Sequence, residues 1–278
     1  MENINTIKPK RHWFDIDFRE IWNYRDLLWL FVRREIVVVY KQTIMGPLWF
    51  FIQPLITTIM FMVVFNGIAG ISTDGMPPIL FYLAGITIWN YFAESFRSTS
   101  DTFVANAGIF GKVYFPRIIM PMAVVMSNLV KFGIQFTLFL VVYFYYFVTT
   151  EVINPNITLL LFPFYVVLIA IFGLSFGLVV SSLTTKYRDL KFLIQFAVQL
   201  WMYVTPVIYP MSKIPEKYRL LVQINPISSI VEAFKYAFTG VGVFDWNGLI
   251  YSTIFAFAML FFGLLIFNKT EQNFMDTV

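Results

Sequence analysis

The chain has 278 residues, of which 59% are hydrophobic, 20% aromatic and only 13% charged, with a formal net charge of +4. Soluble domains carry about 45–50% apolar and about 25% charged residues, so a water-soluble globular domain is effectively excluded. Six bilayer crossings of about 20 residues each would use roughly 120 positions, which leaves room for connections but none for a second, soluble enzyme domain. With no cysteine and a single histidine, His12, thiolate chemistry, disulfides, iron–sulfur clusters and Cys/His zinc sites are not expected.

Residues 1–44 are polar to amphipathic, and the first long apolar run starts only near Met45, too late for the core of a signal peptide. Within this head Phe18, Ile21, Trp22, Leu28, Trp29, Val32, Ile36 and Val39 fall on one face of a helix, opposite Arg19, Glu20, Arg33, Arg34 and Lys41. Asp17 and Glu20 have the spacing of a capping pair. A basic amphipathic helix with tryptophan on its apolar side suits the headgroup layer, and the same pattern suits the surface of a partner protein.

Six apolar runs follow, at about 45–66, 79–97, 118–148, 157–182, 190–209 and 248–267, each near the length that crosses a hydrocarbon core. The expected fold is an all-α integral membrane protein with six transmembrane helices, in which 1–44 is a cytoplasmic head, 45–268 the membrane domain and 269–278 a cytoplasmic tail. Lysine and arginine set the sidedness. The head holds Lys8, Lys10, Arg11, Arg19, Arg25, Arg33, Arg34 and Lys41; the second connection, 98–117, and its flank hold Arg97, Lys112 and Arg117; the fourth, 183–189, and its flank hold Lys186, Arg188 and Lys191. The first and third connections hold none, which places both termini in the cytoplasm. The fifth connection, 210–247, breaks the pattern with Lys213, Lys217, Arg219 and Lys235, but long loops translocate largely regardless of charge. It reads as two short helical pieces, 216–223 and 226–238, parted by Asn225-Pro226 and closed by Gly240. Neither piece crosses a membrane alone; the pair forms either a re-entrant hairpin packed in protein or an amphipathic cap on the outer surface.

Two ionisable groups fall inside apolar runs, Glu94 and Lys131. Buried charges in lipid are expensive and tend to be paired, so an ion pair between antiparallel spans is expected, with a role in transport as the alternative. Trp49, Gln53 and Thr57 recur every four residues in the first span; Phe192, Gln195, Phe196, Gln199 and Tyr203 share a face in the fifth, before a bend at Thr205-Pro206. Amides and hydroxyls beside aromatic rings suit sugars, whose C–H faces stack on rings, and equally suit interhelical hydrogen bonds. Gly173, Gly177 and Ser181 allow close approach of another helix. The Gly111-Lys112 pair is no phosphate-binding loop, because Asn106 stands where that loop needs glycine and Val113 where it needs serine or threonine.

Taken in order, Tyr24-Arg-Asp-Leu-Leu-Trp-Leu-Phe-Val-Arg-Arg-Glu-Ile36, Tyr40-Lys-Gln42, Gly46-Pro-Leu-Trp49 and Gln53-Pro54, then Asn106 to Lys112-Val-Tyr-Phe-Pro-Arg117 and Pro121, then Tyr187-Arg-Asp-Leu190, Thr205-Pro-Val-Ile-Tyr209 and Asn225-Pro226, the chain resembles the membrane subunits of type-2 ABC transporters that export polysaccharides: O-antigen, capsule and teichoic acid translocators. The resemblance implies a permease for lipid-linked polysaccharide in the bacterial inner membrane. It also implies a homodimer of six-helix subunits and two copies of a separate ABC ATPase subunit. ATP and magnesium would bind on that partner, with no cofactor on this chain and no nucleic acid.

By the same resemblance the amphipathic head and a cytoplasmic coupling helix in the second connection meet the ATPase, through Tyr24, Arg25, Asp26, Arg33, Arg34, Asn106, Phe110, Lys112, Tyr114 and Arg117. The first and fifth spans line the substrate path, with Trp49, Gln53, Thr57, Phe192, Phe196, Gln199 and Tyr203. An external re-entrant hairpin between spans 5 and 6 forms a gate, with Lys213, Tyr218, Asn225, Pro226 and Glu232. A drug or small-lipid exporter of the same fold is the nearest alternative. A membrane-embedded transferase, which would need acidic or histidine catalytic groups at a membrane face, and a passive channel are more distant ones.

Overall fold

The computed structural model describes residues 18–41, 46–110, 112–187 and 189–274. The expected Asp17 cap, His12 and the charges of Lys8, Lys10, Arg11 and Arg188 lie outside the described residues. Every regular element among the described residues is helical.

The head is two helices where one was expected, α1 (Phe18–Asn23) and α2 (Arg25–Lys41). The Tyr24 N–H is shared between the carbonyls of Glu20 and Ile21, a bifurcation that tightens the end of α1 and turns the chain. The packed face of α2 is Leu28, Phe31, Val32 and Ile36, set against the long helix α7 described below. Trp22 and Trp29, expected on the same face, are 68% and 59% exposed.

A short 3₁₀ turn, Gly46–Leu48, leads into α3 (Trp49–Phe61), which loosens into a π-helical stretch, Met62–Ile68. Then come α4 (Pro78–Ser100), the four-residue turns α5 (Thr102–Ala105) and α6 (Ala107–Phe110), and α7 (Ile119–Thr149). A 3₁₀ turn, Ile157–Leu161, feeds α8 (Phe162–Thr184), followed by α9 (Leu190–Val204), a turn at Met211–Lys213, α10 (Glu216–Ile224), α11 (Pro226–Thr239) and α12 (Trp246–Phe274). Prolines at the starts of α4 and α11 supply the fixed φ of a first helical turn, where no N–H is needed.

Four stretches are long and apolar enough to cross a membrane: Trp49–Ile68, Ile119–Thr149, Ile157–Thr184 and Trp246–Thr270. The other two expected crossings differ. At 23 residues, roughly 35 Å at 1.5 Å per residue, α4 is long enough, but it carries Asn90, Glu94, Arg97 and several hydroxyls. Other helices cover most of its surface: α3, α7, α8, α9 and α11 all pack on it. By contrast α9 has only 15 residues, roughly 22 Å, and stops at Thr205, which is extended (φ −96°, ψ 141°) because the following Pro206 disfavours helical geometry there. The expected run to 209 is thereby cut short.

The tightest contact is between α4 and α8. A side chain added at Gly173 would put its Cβ 2.6 Å from the Cβ of Ser95, and one at Gly177 would strike Thr99. Four residues apart on each helix, these pairs let the backbones approach, which is how spans associate where lipid is as apolar as leucine. Around this contact Leu80, Phe92, Phe139, Phe172 and Phe234 are fully buried. A second, smaller core of Phe31, Val32, Phe103, Phe110, Phe115, Ile119 and Phe267 joins the head and the short turns to one end of the bundle.

Candidate functional site

Three neighbourhoods collect the residues singled out from the sequence. At the end carrying the second core, the expected coupling helix is instead the pair of turns α5 and α6, broken at Asn106. The Asn106 amide donates to the Thr102 carbonyl at 3.0 Å, and its oxygen accepts from the Arg34 guanidinium at 3.2 Å. Arg34 also pairs with Glu35 at 2.6 Å and lies 5.1 Å over the Phe31 ring, so the head and the α5–α6 segment are tied at one point. Arg25, Asp26 and Arg33 are exposed beside it, and Tyr24 is half-buried against the second core. Phe110 and Arg117 lie inside, at 5% and 9% exposure, with the guanidinium 5.6 Å from the ring centroid. They hold the segment from within, and its outer surface is instead Val104, Lys112, Val113 and Tyr114.

The second neighbourhood is a pair of exposed faces on α3 and α9, which both pack on α4. Trp49 is 53% exposed and Gln53 is exposed, but the Thr57 hydroxyl is spent on its own helix, donating to the Gln53 carbonyl at 2.9 Å. On α9 only Ile194 and Val198 are buried. Phe192, Phe196 and Tyr203 are 74%, 60% and 45% exposed, and Gln199 is exposed among them. No ring contact or hydrogen bond joins the α3 and α9 faces among the described residues, so the chain presents them as two separate aromatic and amide surfaces.

The third is the hairpin α10–α11. Its boundaries match those expected: Asn225 caps α11 by accepting the Ile227 N–H at 3.2 Å, and Gly240 closes it at φ +71°. The two arms are unlike. Most of α10 is exposed, whereas α11 is buried against α4, α8 and α12. The bend is bonded on both sides. Asn225 donates to the Thr205 hydroxyl at 2.9 Å and accepts from the Trp201 indole at 3.2 Å; the hydroxyls of Tyr251 and Ser252 on α12 donate to the carbonyls of Ile224 and Pro226 at 2.9 and 2.6 Å. Asn225, Pro226 and Glu232 are therefore interior, while Lys213 and Tyr218 line an open cavity of about 710 Å³ together with Tyr203, Tyr209 and Ile71.

Lys235, read from the sequence as a loop charge, is 2% exposed. Its ammonium sits 3.7 Å from the centre of the Phe81 ring on α4 and 3.4 Å from Glu232. The three-residue spacing of Glu232 and Lys235 on one helix was the available signal. The expected pair of Lys131 and Glu94 forms at 3.3 Å between α7 and α4.

A family model described as ABC-2 type transporter matches residues 26–239, which takes in nearly all of α2, both exposed faces and the hairpin. An O-antigen export system permease protein RfbA of Klebsiella pneumoniae is 27% identical over 253 residues, covering 90% of this chain and 94% of the relative. Another from the same organism is 26% identical over the same length. The RfbA of Myxococcus xanthus is 25% identical over 262 residues, covering 94% and 98% of the two chains. With four spans of membrane-crossing length and a family match over most of its residues, this multi-pass membrane protein belongs to the ABC-2 type transporter family.

Proposed function

We propose that the chain is the permease subunit of an exporter that moves lipid-linked polysaccharide, of the O-antigen kind, from the cytoplasmic to the outer side of the bacterial inner membrane. The observation that carries this reading is that a chain similar over nearly its whole length to O-antigen permeases leaves two aromatic and amide faces, on α3 and α9, uncovered by its own fold. A polymer too long to be enclosed must be threaded past weak, repeated contacts, because strong binding would stall it. Aromatic rings beside amides offer such contacts to sugars. In a homodimer the α3 and α9 faces of two copies would border one path.

In this reading the chain crosses six times, with α4 as a protein-covered crossing and α9 completed by the hairpin. The basic ends of the second and fourth connections face the cytoplasm. Two ABC ATPase subunits bind there, against Tyr24 to Arg34 and against Val104 and Lys112 to Tyr114. A short segment seated on a motor and tied to the head through Arg34 and Asn106 can pass a rigid-body movement into α4 and α7. The hairpin stands at the outer exit as a gate. A drug or small-lipid exporter of the same fold is not favoured by the relatives. Deleting the gene tests the proposal: cells lacking the chain should retain lipid-linked glycan inside and lose surface polysaccharide, and an unchanged surface would refute it.

A further inference from the structure

Where the end of α4 meets the end of α8 and the first turn of α9 lies a polar pocket of about 260 Å³, lined by Glu94, Arg97, Asp101, Thr184, Lys191 and Gln195. Its two carboxylates are already matched. Glu94 has Lys131 at 3.3 Å, and Asp101 accepts from Lys191 at 2.5 Å. Arg97 is different. Its Nε is buried and has no partner, and among the described residues Arg97 makes no ion pair. Leaving a buried N–H of a charged group unbonded is costly, and a half-buried guanidinium that lines a pocket with donors to spare can offer them to an anion. The pocket also adjoins the N-terminal turn of α9, an end that carries partial positive charge.

Size and surroundings narrow the ligand. The volume is below the roughly 300–1,000 Å³ of pockets that enclose whole drug-sized molecules, so it suits a compact ionic group. The guanidinium fork matches phosphate geometry. On the face of α9 next to that of the pocket-lining Lys191 and Gln195, Phe192, Leu193 and Phe196 are 74%, 61% and 60% exposed, an apolar strip along which a hydrocarbon tail can lie. We infer that this pocket binds the phosphate head of a lipid, with Arg97 as the principal ligand and the tail along α9. The inference deepens the export reading and rests on it in one respect: the lipid favoured is the carrier of the transported glycan, taken up at the cytoplasmic end of the path. A bulk anionic phospholipid offers the same chemistry.

The test uses the full chain with its ATPase partner in phosphatidylcholine nanodiscs, titrated with radiolabelled farnesyl pyrophosphate and with farnesol. The pyrophosphate should bind at least 10-fold tighter than the alcohol. Arg97→Gln should lose at least 10-fold of that affinity, Arg97→Lys should recover part of it, and Ser98→Asp, which sets a carboxylate beside an intact Arg97, should lose it too. Equal binding of pyrophosphate and alcohol, or undiminished binding by a folded Arg97→Gln protein, overturns the site. Phosphatidylglycerol discs separate the two sources: competition as strong as that of the pyrophosphate overturns the assignment to the carrier, and weak competition supports it. In cells deleted for the gene, wild type restoring surface glycan while Arg97→Gln does not supports the site. Equal restoration by both overturns the site and leaves the export reading intact, and failure of wild type to restore glycan overturns the export reading whatever the pocket binds.

Discussion

The Lys235 ammonium donates to the carbonyl oxygen of Pro206 at 2.5 Å, and this bond fastens the buried arm of the hairpin to the break that ends α9. Its countercharge is Glu232, at 3.4 Å, and both residues are under 9% exposed. Removing one member of a buried pair strands the other and costs about 3–5 kcal/mol. Lys235→Met is therefore expected to lower the thermal midpoint in detergent sharply, and adding Glu232→Gln should recover most of the loss. A double variant as unstable as the single one would contradict this account of the pair.

Asn225 joins the end of α9 to the start of α11 by its side chain alone, bonding Thr205, Trp201 and the Ile227 N–H. Asn225→Ala should cost about 1 kcal/mol for the lost cap and more for the two bonds to α9. Hydrogen exchange should quicken across residues 205–225 while α7 and α8 stay protected. Unchanged exchange in the bend would show that α12 holds it unaided.

Close approach of α4 and α8 makes Gly173 intolerant of any side chain. Overpacking costs about 1–3 kcal/mol when the neighbours can shift, and here the obstacle is the Cβ of Ser95, which cannot swing away. Gly173→Leu should reduce the yield of folded protein, whereas Gly108→Ala, with nothing within 4 Å of the new Cβ, should not. Equal yields would place the helix contact elsewhere.

The surface of the α5–α6 segment and its interior should separate in mutagenesis. Val113→Asp and Tyr114→Asp, at positions 57% and 51% exposed, are expected to weaken co-purification of the ATPase subunit with little change in melting temperature. Phe110→Ala empties a site shared with Phe103, Phe115 and Arg117 and should cost about 3–5 kcal/mol of stability. Retained co-purification in both surface variants would move the docking surface off this segment.

Much of this arrangement was legible in the sequence where local chemistry is decisive. Asn225-Pro226 and Gly240 punctuate the hairpin to within a residue or two of its observed ends, because a cap, a fixed φ and a positive φ are local demands. The Gly173–Gly177 spacing announced a close helix contact, and the charges Glu94 and Lys131, set inside apolar runs, announced each other. What escaped depends on neighbours distant in sequence. The three-residue spacing of Glu232 and Lys235 hinted at a pair but not at its burial, which Phe81 and Pro206 decide. Four-residue turns carry no periodicity, so the inward direction of Phe110 was not readable, and Arg117 followed it. The outward turn of Trp22 and Trp29 reflects the break at Tyr24, which resets the face of α2. The bend at Thr205-Pro206 was visible, but its effect on the length of α9 was not.

The central claim is that this chain is a passage without its own engine, driven by a motor bound to it. The direct measurement is translocation of lipid-linked glycan in proteoliposomes holding the chain alone or with its ABC ATPase subunit. The account predicts no nucleotide hydrolysis and no glycan movement with the chain alone, and ATP-dependent movement once the ATPase subunit is added. Glycan crossing, or ATP consumed, with the chain alone would contradict it.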